Sequence, residues 1–500
     1  MDLRAKLARL AAKRAGSTSA AAAAEAPVEN GEGDAAPAPS GGPPHVVALR
    51  ARLAEMLTRT RVRDERRRQE RREQVEARIV ETLPFDAIEG AGGLVHVRTM
   101  RHATTARVGR VDIEGARVVS APALSLLALD PGLAALDPAR ALYLDTESTG
   151  LAGGTGTVPF LVGLAWFEDD GLVVEQLLLR QLGEEAPLLA RVAERIEAAS
   201  MLVSFNGKAF DLPLLRTRFV MNRLPAPPAR PHLDLVHVAR RIHRSARGGV
   251  REPVHDRGGP FVEVDDEAGS RRAMSCKLTA LERHVLGFDR IDDVPSADIP
   301  ARYGQFLRSG DGDAIRAVCD HNAWDVVSMA ALVSIYGSAV TSLDDATSAG
   351  PLGGRDLVGV AATLQRAGDL VRARTAASTA LQASMLSSGR DDELTLLALR
   401  VRGAIAKRAR DVDGAVVDFE ALAEVHDDAS ARLELAKLYE HRLKDPTRAL
   451  HHVRSGTTET GAEAAHRASR LERKTMRATQ RELPLTTKSA TKGTAKAAKG

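Results

Sequence analysis

Apolar residues follow two different periods along this chain. Between residues 141 and 205 they come in short runs: Leu142, Tyr143 and Leu144; Phe160 to Phe167; Leu172 to Leu179; and Met201 to Phe205. Each run has the length of a strand and is bounded by turn residues. The first three are joined by short connections, a glycine-rich one from Gly150 to Gly156 and an acidic one from Glu168 to Gly171. Such strands must pair antiparallel, because a parallel pair needs a crossover. Before the fourth run the period changes, with Leu188, Leu189, Val192, Ile196 and Ala199 at helical spacing. A strand reached through a helix can lie parallel beside the first, so the pattern predicts a mixed sheet with helices packed on it. Residues 314–336 repeat the helical period, and the domain built from these elements spans 141–340.

Outside this core the pattern is weaker. Leu3, Leu7 and Leu10 fall on one face of a short amphipathic helix, and residues 17–44 carry almost no large apolar side chains, so 1–45 reads as that helix and a disordered linker. In region 46–140, Arg66, Arg67, Arg68, Arg71 and Arg72 interleave with Glu65, Glu70, Glu73 and Glu76. A solvated helix laced with i,i+4 ion pairs accounts for them better than a dedicated nucleic-acid arm. Alternating stretches at 94–98 and 106–112 read as short strands, and 246–270 as a surface insertion. From 351 to 474 the period is helical throughout. The segments opening at Gly368, Asp411 and Asp445 each begin the second helix of a helix pair, and Ala415 and Ala449 stand 34 residues apart, the tetratricopeptide (TPR) period. A TPR-like array would bind a protein or peptide partner, whereas a plain helical bundle is the alternative. Residues 475–500, with Lys488, Lys492, Lys496 and Lys499, read as a basic disordered tail. Within it Gln480 to Leu485 resembles a sliding-clamp binding peptide.

Composition narrows the class. The hydrophobic share of 44% with only 3% aromatics favours helix-forming alanine, leucine and valine over aromatic-rich β architecture. A net charge of +4 says nothing by itself about nucleic acid. Cys276 and Cys319 are too few for a disulfide framework, which points to a reducing cytoplasm. No signal-peptide core opens the chain, and no run of about 18 apolar residues suggests a membrane span.

Candidate chemistry begins at the end of the first strand. Asp145 and Glu147 are two residues apart and project to the same side. Two carboxylates held together repel unless a cation lies between them, which makes a hard divalent metal a candidate, with a polar turn as the alternative. The glycine-rich connection lacks the Gly-Lys-Ser/Thr ending of a phosphate loop. Asp211 follows the fourth strand, with Asn206 at the entrance of its helix where an amide can cap open backbone N–H groups. His321 and Asp325 stand at i and i+4 on one helix face. Asp234 is either a helix cap or a group supporting the site.

In this order, Asp145 and Glu147, then Asn206, Phe210 and Asp211, then His321 and Asp325 resemble the three exonuclease motifs of the DEDD, or DnaQ-like, branch of the ribonuclease H-like superfamily. The YprB-type family is the nearest in wording, including His232 to His237, Cys276 to His284, and His321 with Asn322 before Asp325. His321 departs from the pattern: Tyr-type members carry tyrosine four residues before the last aspartate, and His-type members carry histidine five before it. The resemblance implies a mixed five-stranded sheet flanked by helices, an α/β ribonuclease H-like domain ahead of the all-α TPR-like one. It also implies 3′ to 5′ exonuclease activity on DNA or RNA with two Mg²⁺ or Mn²⁺ ions, which chemistry supports because oxygen ligands suit those ions. By resemblance, Asp145 bridges the ions, Glu147 and Asp325 hold the one that activates water, Asp211 holds the other, and His321 orients or deprotonates the water. Asn206 and Lys208 are weaker candidates for holding substrate. The alternative is a nucleic-acid-binding scaffold with a weakly active domain.

Overall fold

The computed structural model describes residues 83–150, 155–244, 275–345, 350–386 and 392–482, with most of a helix between 52 and 73. The chain divides into two compact units, 1–70 and 71–500. In the first, residues 55–67 are helical and exposed, with i,i+4 pairs between Glu55 and Arg59 (2.7 Å) and between Arg66 and Glu70 (3.0 Å). The amphipathic helix expected at 3–14, the 17–44 linker and the 246–270 insertion lie outside the described residues.

In the second unit the strands are β1 (Asp86–Gly90), β2 (Gly93–Ala103), β3 (Arg107–Val108), β4 (Val111–Asp112), β5 (Ala141–Ser148), β6 (Pro159–Glu168), β7 (Gly171–Leu178), β8 (Met201–Ser204) and β9 (His232–Asp234). The main sheet runs β1-β2-β7-β6-β5-β8-β9, while β3 and β4 form a separate ladder. The predicted meander holds, since β5, β6 and β7 pair antiparallel in sequence. The helix-linked strand β8 lies parallel to β5 as expected, and β9 extends it in parallel. The strand number does not hold: there are seven, not five. The β1-β2 hairpin adds to the outer edge of β7, in register from His96 opposite Leu178 to Ala103 opposite Gly171. An apolar strand such as β7, buried along its whole length, cannot be left as an open edge, so a local hairpin covers it.

The two faces of the sheet bury different cores. Leu142, Leu144, Leu164 and Leu177 point to one side, against Leu188, Leu189, Val192 and Ile196 of helix Glu185–Ala198. Tyr143, Ala165 and Val174 point to the other, toward the long helix Asp313–Thr341. A window of that helix reaches a mean hydropathy of 1.7, enough by length and composition to cross a membrane, yet 83% of the window is buried in this fold. It is a core helix, and its apolar stretch after Asp325 is interrupted by Ser328, Ser334 and Ser338.

The region after Gly354 is helical, as expected. Helices Gly354–Ala367 and Leu370–Leu386, Asp392–Arg408 and Val412–Val425, and Ala429–Leu438 and Pro446–Arg454 form three successive pairs, closed by Gly461–Glu482. Ala373, Ala415 and Ala449, the small residues of the repeated segments, are fully buried in the second helix of each pair, where only a methyl group lets the helices approach. The last helix corrects one boundary: it continues through 475 to Glu482, so the tail begins later than composition suggested. Leu471 anchors it in the core, and arginine, glutamate and methionine sustain a helix as well as they suit a solvated tail. Gln480 and Arg481 of the clamp-like peptide belong to that helix, and residues 483–500 lie outside the described residues.

The helical region is joined tightly to the sheet domain. His243 contacts Asp356 through Nδ1 (2.8 Å) and the Tyr336 hydroxyl through Nε2 (2.9 Å), linking the first repeat helix to the long helix. Beside them Gly359 lies so close that a Cβ there would stand 1.9 Å from the carbonyl oxygen of Ile242. Since that neighbour is backbone, Gly359→Ala is expected to cost about 1–3 kcal/mol of stability, read as a lower denaturation midpoint. Gly461→Ala, whose Cβ meets nothing within 4 Å, is expected to leave the midpoint unchanged or raise it.

Candidate active site

β5 supplies the first acids. Because Tyr143 faces the long helix, the alternation of the strand carries Asp145 and Glu147 to the same side. There the long helix presents His321, Asn322 and Asp325. Asn322 donates from Nδ2 to Asp145 Oδ2 (2.8 Å). His321 Nε2 lies 3.8 Å from Glu147 Oε1 and 3.6 Å from Asp325 Oδ2. Glu147, His321 and Asp325 offer ligand atoms all within 4.8 Å of one another, a set able to hold a metal ion. Asp211 is the first residue of helix Asp211–Met221 rather than one turn into it, and Thr146, between the two β5 acids, donates its hydroxyl to Asp211 Oδ1 (2.5 Å).

Asp325, Asp211 and Glu147 all lie close enough to Asp145 to repel its charge. Burial, then repulsion from Asp325, Asp211 and Glu147, pushes the Asp145 carboxyl well above its ordinary range, with the Asn322 amide partly opposing. Burial and Asp325 raise Glu147 to about 8, against the pull of His321 and Arg290. Asp211 is pushed up to about 6 by burial. Burial works against a charged His321, but Asp325, Glu147 and Asp293 outweigh it and lift the imidazole above its usual value. Acids crowded in this way are discharged by protons or by a cation, and carboxylate oxygens suit Mg²⁺ or Mn²⁺.

Several supporting residues were not identified from the sequence. Gln176 of β7 donates to Asn322 Oδ1 (2.9 Å) and to the Cys319 carbonyl (2.6 Å), and Arg98 of β2 reaches Gln176 Oε1 (3.4 Å). The N-terminal hairpin thus braces the acid centre through three side chains. Asp293 Oδ1 lies 2.6 Å from His321 Nδ1 and fixes the ring so that Nε2 faces Glu147 and Asp325. Arg290, almost fully buried, contacts Glu282 through two nitrogens (2.6 and 2.8 Å) and donates to Asp325 Oδ1. Asp325 is left with Oδ2 toward His321. Gly163 pairs with Asp145 across β5 and β6, and a Cβ on it would stand 2.3 Å from Asn322 Oδ1. That glycine, set in a run of large apolar residues, was a legible signal of close approach. Arg290 and Asp293 lie in an irregular segment with no spacing to mark them.

Other expectations change. Asn206 does not cap the helix with its amide: the preceding position is Phe210, without a side-chain cap. Asn206 instead adopts a left-handed conformation (φ 69°), and its N–H donates to Asp234 Oδ1 (2.7 Å) while the Lys208 N–H donates to Oδ2 (3.1 Å). Asp234 also caps its own helix at Val236 (3.3 Å), so both roles considered for it are filled at once. The Lys208 side chain is exposed. Cys276 and Cys319 are both buried, and neither is in a disulfide. Residues 151–154 of the glycine-rich connection lie outside the described residues.

The comparisons agree with this geometry. Residues 142–336 match the RNase_H superfamily. Over 196 residues the chain is 33% identical to the "Uncharacterized protein YprB" of Bacillus subtilis (strain 168), an alignment covering 39% of this chain. The chain spans 40% of the length of that relative. The sheet domain is therefore RNase H-like, and the helical region follows it.

Two outcomes follow for the site. Gly163→Ala is expected to displace Asn322 and lower any metal-dependent activity at least tenfold while the protein stays folded, as checked by circular dichroism. The raised carboxyls also set a sign for stability. Between about pH 4.5 and 8 Glu147 keeps its proton in the folded metal-free protein and loses it in the unfolded chain, so its contribution to stability falls as pH rises through that window. Thermal melts in EDTA should show the decline, Glu147→Gln should flatten it, and Mn²⁺ should raise the melting temperature most at the alkaline end.

Proposed function

We propose that this chain is a metal-dependent nuclease that hydrolyses phosphodiester bonds, acting as a 3′ to 5′ exonuclease with two divalent ions. The observation that supports it best is the convergence of Asp145, Glu147, Asp211 and Asp325, from one strand and two helices, on one buried acid centre. Asp145, Glu147, Asp211 and Asp325 would hold Mg²⁺ or Mn²⁺, and the ions would neutralise charge on the attacking and leaving oxygens. His321, with Nδ1 against Asp293, keeps Nε2 on the side of Glu147 and Asp325, where it can take a proton from an attacking water. The TPR-like array would bind a protein or peptide partner. A second reading, a nucleic-acid-binding scaffold of low activity, is favoured by one contact: Arg290 already occupies Oδ1 of Asp325, one of the oxygens a metal would use.

End-labelled single-stranded and duplex DNA and RNA, incubated with Mg²⁺ or Mn²⁺, separate the two. The nuclease reading expects stepwise shortening from the 3′ end, lost by 100-fold or more in Asp145→Ala. No metal-dependent cleavage of any substrate, or cleavage that survives Asp145→Ala, would overturn it.

A further inference from the structure

A cavity of about 770 Å³ opens between residues 440–446 and the last helix, lined by Glu440, His441, Lys444, Lys474 and Arg477 among others. The carboxylate in its wall is already occupied. Glu440 has no exposed side-chain surface and accepts from Arg470 (2.8 and 2.9 Å) and Lys474 (2.7 Å), with Arg467 at 3.4 Å. Arg467 is shared with Glu459 (2.7 Å). Lys444 and Arg477 take part in no ion pair among the described residues. On the cavity wall itself three cations, Lys444, Lys474 and Arg477, therefore face one carboxylate, Glu440, an excess of two positive charges. Positive charge concentrated on a concave wall focuses its field and draws in anions.

The shape of that charge selects among anions. Lysine ammoniums act as point charges with no directional fork, and several at once suit a ligand that repeats its charge. Among the lining residues there is no Phe, Tyr or Trp on which a base could stack. Contact would be with phosphate alone and independent of sequence. Resting on the nuclease reading, we propose that this cavity is an exosite for the phosphate backbone of a nucleic acid.

The test uses full-length protein carrying Asp145→Ala in EDTA, so that nothing is cleaved, and labelled single strands of DNA and RNA about 16 nucleotides long. Anisotropy titrations across a salt series give affinity and its salt slope. The double variant Lys444→Ala/Arg477→Ala removes two cations that hold no other residue, so its melting temperature should match the parent. It is expected to bind about tenfold more weakly, with a salt slope shallower by about 1.4 for two lost phosphate contacts. The charge reversal Lys444→Glu/Arg477→Glu should weaken binding further. Unchanged affinity and slope in both variants would overturn the exosite. So would competition by a glutamate-rich peptide that binds the parent more tightly than nucleic acid does, which would make the cavity a site for acidic peptides. The nuclease reading fails separately, in the cleavage assay: intact substrate with variant-sensitive binding sinks that reading and keeps the exosite.

Discussion

The contact between Gly163 and Asn322 sets where the long helix can lie on the sheet. With no side chain on Gly163, the Asn322 amide comes down onto β6 and reaches Asp145 on the neighbouring strand. The other contacts of the site follow from that seating. His321 and Asp325 fall opposite Glu147 because they neighbour Asn322 on the same helix. Gln176, from the next strand, holds the far side of the amide. An asparagine fits this position because it satisfies an acceptor on one side and a donor on the other, so neither Asp145 nor Gln176 is left unpaired in the core.

Around that amide the fold tolerates an arrangement that is unfavourable when considered alone. Four carboxylates share one poorly solvated region, a strain that shows in the raised proton affinities of Asp145, Glu147 and Asp211. The surroundings do not remove it; they distribute it. Thr146 donates to Asp211, Asn322 to Asp145, and Arg290 to one oxygen of Asp325 while Glu282 balances the guanidinium. The Arg290–Glu282 pair adds no net charge to the centre, so it holds Asp325 in place without supplying the positive charge that the centre lacks. A divalent cation would supply it.

How much of this could be read in the sequence depended on range. Period and run length identified the β5–β7 meander, the crossover to β8 and the long helix, because each is a local choice between spacings of two and 3.6. Alternation placed Asp145 and Glu147 together, and i,i+4 spacing did the same for His321 and Asp325. What failed was partner choice across the chain. The strand at 94–98 was legible, but its docking on β7 was not, and the sheet was therefore underestimated by two strands. Arg290 and Asp293 reach the site through an irregular segment whose path is set only by the finished fold. The end of the last helix was misplaced for a different reason: lysine- and arginine-rich sequence serves both a solvated helix and a disordered tail, and the buried Leu471 decided the matter.

The buried apolar cluster does not stop at the end of the sheet domain. It runs from Tyr143 and Met201 through the long helix to Leu357, Ala373, Ala415, Ala449 and finally Leu471. A flexible tether would leave the helical array free to turn relative to the acid centre, but a shared core with the His243 contacts at its seam does not. Whatever the array holds is therefore held at a fixed distance and direction from Asp145. A strand captured at its far end would meet the acid centre only along one path, and the length of that path would set how short a substrate can become before it loses one of its two anchors. If the cavity holds a strand as proposed, the rigid seam would make that cavity and the acid centre a ruler.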